Sequence, residues 1–254
     1  MKYIICQGRK LACNKLEGNG PTVVFFPGFM SDMEGTKALT LEKYCAEQGQ
    51  AYVRFDYSGH GKSSGDFTDG TIGDWRDDAL AIIDQLTEGD LVLVGSSMGG
   101  WIGLLCAVAR KDRVKGFIGL AAAPDFTREL CWDRYSDEVK ATLEKDGIYY
   151  EPCDYDDGDP YPMTLKLLRE GNDHLLLNRD IDLDCPVRLI QGLRDPDVPP
   201  DTARRICDRL TGDDVVITYI KGGDHRLSTG ADLKRLCQQV KELSTYEKNQ
   251  PKAD

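Results

Sequence analysis

A chain of 254 residues can close one large hydrophobic core and calls for no second independent domain. Its 32 lysines and arginines against 43 aspartates and glutamates leave a formal charge of -11, which opposes phosphate backbones and anionic membrane surfaces and sets nucleic acid aside as a partner. The nine cysteines are odd in number and stand singly from Cys6 to Cys237, never at the short spacing of zinc or dithiol sites, so reduced thiols in a cytosol-like compartment and no metal or cofactor are expected.

The first residues, Met1 to Cys6, run straight into strand-like sequence, with neither the apolar core of a signal peptide nor the arginine-rich pattern of a transit peptide. A cytoplasmic location is the expectation, with the mitochondrial matrix only if a presequence is missing from this chain. Strands are expected at residues 3–6 and 11–15 as an antiparallel hairpin, then at 22–26, 51–55, 91–94, 116–121, 187–191 and 215–220. Between them, residues 37–48, 74–86, 98–110, 201–210 and 231–243 place apolar side chains at helical spacing. Thr71, three residues before Asp74, resembles a capping box, and Pro200 suits a first helical turn. Strands alternating with helices predict an α/β fold, an eight-stranded mostly parallel sheet with helices on both faces.

Residues 124–186 break this rhythm, being rich in Asp, Tyr, Trp and Pro and offering helical pieces without a convincing strand. They read as a small cap inserted after the sixth strand, dividing the chain into a core of 1–123 and 187–246, the cap, and a polar tail of 247–254. Within the cap, Ser136 can cap a helix running towards Lys145 and Pro162 can open another towards Glu170, with an acidic turn from Asp154 to Asp159 between them. No apolar run approaches the roughly 20 residues of a membrane span, so stable membrane insertion is not expected.

The strongest chemical signal is Leu91-Val92-Leu93-Val94 followed by Gly95-Ser96-Ser97-Met98-Gly99-Gly100 and an apolar helix, which resembles the nucleophile elbow of α/β hydrolases. A serine in so sharp a turn needs small residues two before and two after it, so that strand and helix can pass closely. Gly95 and Gly99 meet that need around Ser97, whereas Ser96 would put Val94 and Met98 there. A tetrahedral intermediate needs a second N–H donor from the loop after the third strand, which reads Phe25-Phe26-Pro27-Gly28-Phe29-Met30. The backbone N–H groups of Phe29 and Met98 are therefore the expected oxyanion donors, with Pro27 standing where a histidine is usual.

Among three histidines, His225 follows the last strand, where this fold delivers its base in the order serine, acid, histidine. His60 sits in a glycine-rich turn and reads as structural, and His174 reads as a polar surface residue of the cap. The acid should follow the strand at 187–191, where Asp195 and Asp197 compete. The superfamily's frequent Gly-x-x-Asp-x-x-Val-Pro pattern selects Asp195 and leaves Asp197 as a solvated loop carboxylate. Trp132, Tyr135 and Tyr161 are candidate substrate contacts in the cap, with burial in the cap's own core as the competing reading.

From about Lys15 to Leu243 the chain resembles the α/β-hydrolase-domain serine hydrolases that comprise mitochondrial palmitoyl-protein thioesterase, or mycophenolic acid acyl-glucuronide esterase, and bacterial relatives. The resemblance is carried by the run from Pro27 to Ala38, by Arg54-Phe55-Asp56-Tyr57-Ser58-Gly59, by Gly95 to Trp101 and by Asp224-His225-Arg226. It implies a triad of Ser97, Asp195 and His225, and a small-molecule ester or thioester, or an acylated protein, as substrate. Depalmitoylation and glucuronide cleavage are what the resemblance implies, because the cap that shapes the pocket matches loosely. A peptidase on the same triad and a non-catalytic ligand-binding member of the fold are the alternatives, and a serine in place of a carboxylate nucleophile argues against a dehalogenase or epoxide hydrolase. The sequence assigns no oligomeric state.

Overall fold

The computed structural model describes residues 1–152 and 160–245, so the acidic turn at 154–159 and the tail at 247–254 lie outside the described residues. Eight strands form one sheet: β1 (Lys2–Cys6), β2 (Arg9–Leu16), β3 (Asn19–Phe26), β4 (Gln50–Phe55), β5 (Leu91–Ser96), β6 (Val114–Leu120), β9 (Val187–Gly192) and β10 (Val215–Ile220). Two further strands between β6 and β9, β7 (Ile148–Glu151) and β8 (Tyr161–Thr164), pair separately. The sheet order is β1-β2-β4-β3-β5-β6-β9-β10, with β2 antiparallel to both neighbours and every other pair parallel.

Parallel strands are covered on both faces, so their side chains are apolar on both. In β5, Leu91 and Leu93 join one core while Val92 and Val94 join the other, and in β3 Val24 and Phe26 divide from Val23 and Phe25 in the same way. The first core is closed by α2 (Ile72–Leu86), α3 (Met98–Ala109) and α6 (Asp201–Arg209), through Trp75, Ile82, Trp101, Leu104 and Ile206. The second is closed by α1 (Thr36–Gln48) and α7 (Gly230–Ser244), through Leu41, Cys45, Leu236 and Val240. Thr71 caps α2 by accepting from the Asp74 N–H. A full reciprocal capping box opens α7 instead, between Thr229 and Asp232.

The segment from 124 to 186 departs from the helical reading. A π-helical turn (Thr127–Trp132) leads to α4 (Asp137–Asp146), which Ser136 caps, and then to the antiparallel pair β7 and β8. Pro162 stands inside β8 rather than opening a helix, a place proline tolerates in a two-stranded ribbon with a free edge. The next helix, α5 (Leu165–Glu170), is opened by Thr164, whose hydroxyl accepts from the Leu167 N–H at 3.1 Å. This segment is fastened to the core by buried Asp125, whose two oxygens accept from the Leu176 and Leu177 N–H groups at 2.8 Å. Glu170 accepts from the Gly73 N–H on α2 at 3.0 Å, and Arg205 on α6 pairs with Glu129. His174 is therefore no surface residue: its ring contacts Glu170 at 2.7 Å and its carbonyl accepts from the Trp101 indole at 3.0 Å. Among the described residues no helix is long and apolar enough to cross a membrane.

Candidate active site

Ser97 lies between the end of β5 and the start of α3 with φ 53 and ψ -122, a conformation that costs a non-glycine residue about 1–3 kcal/mol. The surroundings hold it there. Its N–H donates to the Leu120 carbonyl at 2.9 Å, and its own carbonyl accepts from Gly100 at 2.8 Å and Ala123 at 3.1 Å. The flanking glycines are required by contact: a Cβ on Gly95 would strike the Gly99 carbonyl, and one on Gly99 would strike the Phe26 carbonyl. Met98 opens α3, so the unpaired amides and positive end of that helix face the serine.

Three loops converge on this point. His225, in the turn between β10 and α7, brings Nε2 to 3.0 Å from Ser97 Oγ and Nδ1 to 2.9 Å from Asp195 Oδ2. With the Nδ1 proton donated to a carboxylate, Nε2 is the lone-pair nitrogen and can accept the serine proton. Asp195 follows β9 and its side chain is fully buried. Its Oδ2 also accepts from Gln191 Nε2 at 3.0 Å, and its Oδ1 from the Asp197 and Val198 N–H groups, both at 2.9 Å. Burial by itself would raise this carboxyl, but the His225 hydrogen bond, the imidazole charge and the two loop amides outweigh it and hold Asp195 below the usual carboxylate range. Asp197 is the poorer partner, with Oδ2 4.0 Å from His225 Nδ1 and a side chain 42% exposed. Asp224 accepts from the Leu227 N–H at 3.0 Å and so shapes the His225 turn.

The loop after β3 passes beside the serine. A Cβ on Gly28 would lie 3.5 Å from Ser97 Cβ, an ordinary contact that places this backbone directly beside the serine. Beyond Phe29 the loop is pinned at Met33, whose N–H donates to Asp56 Oδ1 at 2.7 Å and whose carbonyl accepts from Arg54 Nη1 at 2.9 Å. Asp56 Oδ2 accepts from the Lys62 N–H at 2.8 Å, and Arg54 is paired with Glu42 at 2.9 Å. Two buried charged residues at and just beyond the end of an apolar strand thus set the loop that carries the Phe29 amide. Sequence reasoning used both only as parts of a motif, although charge within a buried strand is itself a signal.

A cavity of about 790 Å³ opens over Ser97 and His225. Phe29, Phe126, Leu130 and Met163 supply apolar wall, and Lys37, Arg134, Glu151 and Asp197 supply charge. Of the three aromatic residues expected as substrate contacts, Tyr161 lines the cavity and stands edge-on to Phe29 at 5.9 Å. Trp132 and Tyr135 do not line it. Tyr135 packs on Tyr149 and donates its hydroxyl to Glu151 at 2.9 Å, while the Lys140 ammonium lies 5.7 Å from the Trp132 ring. His60 is buried among Tyr57, Phe67 and Trp75, and burial pushes it down to about 4, so it stays neutral and structural.

Serine, imidazole and carboxylate in one hydrogen-bonded line, beside the positive end of α3 and a cavity, can activate a hydroxyl against an acyl carbon and favour the oxyanion that results. Residues 21–146 match the model of the alpha/beta hydrolase fold family. Human mitochondrial palmitoyl-protein thioesterase ABHD10 is 40% identical over 233 residues, covering 92% of this chain and 76% of the relative. A hydrolase crystal structure from Agrobacterium vitis S4 superposes with a TM-score of 0.91 at 38% identity, covering 96% of this chain and 98% of that one. The mouse alpha/beta hydrolase domain-containing protein 10 superposes with a TM-score of 0.89 at 35% identity, covering 95% and 97%.

Proposed function

Because this chain belongs to the α/β-hydrolase family that includes mitochondrial palmitoyl-protein thioesterase ABHD10, we propose that its ester or thioester hydrolysis runs through Ser97 as nucleophile, His225 as general base and Asp195 as the orienting acid. The observation that carries this reading is the unbroken line of 3.0 Å and 2.9 Å contacts from Ser97 Oγ through the His225 ring to Asp195. His225 Nε2 takes the serine proton as Oγ attacks the acyl carbon. The Phe29 and Met98 N–H groups then hold the oxyanion while Asp195 stabilises the imidazolium. Collapse leaves an acyl group on Ser97, and water activated by the same imidazole removes it.

The leaving group decides how much proton delivery is needed. A thiol with a pKa of about 8.5 departs readily as thiolate, whereas an alkoxide requires the imidazolium proton. Residues 124–186 are proposed as a cap, with Tyr161 and the apolar wall receiving the acyl chain. The volume of about 790 Å³ lies within the range of small-molecule pockets. Acylated protein is the proposed macromolecular substrate, on the name of the mammalian relatives. A reducing compartment, cytoplasm or mitochondrial matrix, suits eight described cysteines of which none is in a disulfide.

The substrate class is tested with matched ester, thioester and peptide series of increasing acyl length. Medium and long acyl thioesters are expected to turn over at least as fast as the corresponding oxygen esters, and peptides not at all. Neglect of every thioester longer than acetyl would refute the acyl-protein reading, and faster peptide cleavage would refute the thioester preference.

A further inference from the structure

Lys37 is oddly placed for a lysine. It stands in the first turn of α1, where the positive end of the helix disfavours a cation, no acidic residue offsets it and no side chain caps the helix at Gly35. Its ammonium instead crosses to a segment 189 residues away, where Nζ donates to the Arg226 carbonyl at 2.5 Å, with Ser228 Oγ 3.4 Å from the same atom. Arg226 directly follows His225, and the same carbonyl accepts from Ser228 Oγ at 2.9 Å. The side chain is half-buried in the wall of the catalytic cavity.

We propose that Lys37 is a positioning residue for His225: its ammonium ties the backbone just beyond the imidazole to the start of α1, and so to the loop that carries the Phe29 amide. The inference rests on the reading of Ser97 and His225 given above. The geometry that matters is the reach from Nε2 to Ser97 Oγ, set by the backbone at 225 and 226. Leu227, at φ 46, makes that turn sharp, and Asp224 closes it from within. From outside it, the Lys37 tie joins base and oxyanion loop, so both move as one unit relative to the serine. A charge-assisted donor is about twice as strong as a neutral one, which is what the tie draws on.

A cation there should also leave a mark on the pH profile. Burial lowers the Lys37 ammonium to about 8, against the upward pull of Asp224 and Asp232; Arg226 lowers it further. Asp224 and Arg226 stand on the turn either side of His225, and Asp232 stands on α7. The tie is at full strength below about 8 and loses its charge as the pH rises through that value.

The experiment compares Lys37→Met and Lys37→Arg with wild type and Ser97→Ala, using a medium-chain p-nitrophenyl ester across pH, with thermal unfolding measured on each. Lys37→Met is expected to lose roughly 10- to 100-fold in kcat, with KM within about twofold, as an ångström-scale misplacement of the base would cause. Lys37→Arg is expected to restore most of kcat and to carry activity to higher pH, because a guanidinium keeps its charge. Unchanged kcat in Lys37→Met, a loss confined to KM, or a Lys37→Arg enzyme as slow as Lys37→Met overturns the proposal while leaving the triad standing. A wild type no faster than Ser97→Ala overturns the triad and this inference with it.

Discussion

Ser97→Ala is expected to lower turnover by roughly a millionfold and to abolish fluorophosphonate labelling, while the protein folds as before. No neighbour replaces the missing oxygen. Ser96 is buried beside it on the strand side of the turn, and an attack from there would lack the Gly95 and Gly99 clearances that let β5 and α3 meet at Ser97. The same position holds strain at φ 53, which a glycine would relieve. Ser97→Gly should therefore be as inactive as Ser97→Ala yet gain about 1 kcal/mol in unfolding free energy, the relief exceeding the entropy that glycine adds to the unfolded chain. Equal stability of the two variants in a denaturant titration would mean that the elbow is not strained.

Asp195→Asn is expected to cost roughly 10⁴-fold in kcat, and Asp197→Asn no more than a few-fold. The difference comes from where the donors point. Two backbone N–H groups converge on Asp195 Oδ1, so an asparagine turns its carbonyl oxygen to them and its NH₂ to the His225 ring. An N–H facing Nδ1 forces the ring proton onto Nε2, where it faces Ser97 Oγ and cannot accept the serine proton. Asp197, solvated and 4.0 Å away, cannot substitute. Stability follows the same group. Its carboxyl is held below its unfolded value, so it stabilises the fold above a pH of about 4 and this contribution is lost as the pH falls through the lower folded value. A slower Asp197→Asn than Asp195→Asn in steady-state assays would reverse the assignment.

The parts of this molecule legible in the sequence are those fixed by short-range rules. An apolar run such as Leu91 to Val94 suits burial on both faces of a central parallel strand, and the glycines two either side of Ser97 form a fixed local pattern, although Gly99 is required by the end of β3 as well as by the turn itself. The residues that escaped depend on docking between distant segments. The β7 and β8 strands are four residues each, too short for an alternation to stand out, and Pro162 disguised one of them. Whether Tyr135 faces the cavity depends on how residues 124–186 settle on the core, and there it packs on Tyr149 and reaches the cavity wall only through its bond to Glu151. Lys37 left a trace that could have been followed, a cation in the first turn of a helix, but its target in the turn before α7 lies 189 residues on.

The most direct measurement is the mass of the enzyme caught during turnover. Wild-type protein mixed with a medium-chain acyl thioester, quenched in acid within the first turnover and digested, is expected to carry the mass of one acyl group on the peptide containing Ser97, and Ser97→Ala to carry none. Steady hydrolysis with no acyl mass at Ser97, or an adduct on any other residue, would contradict a covalent mechanism through this serine.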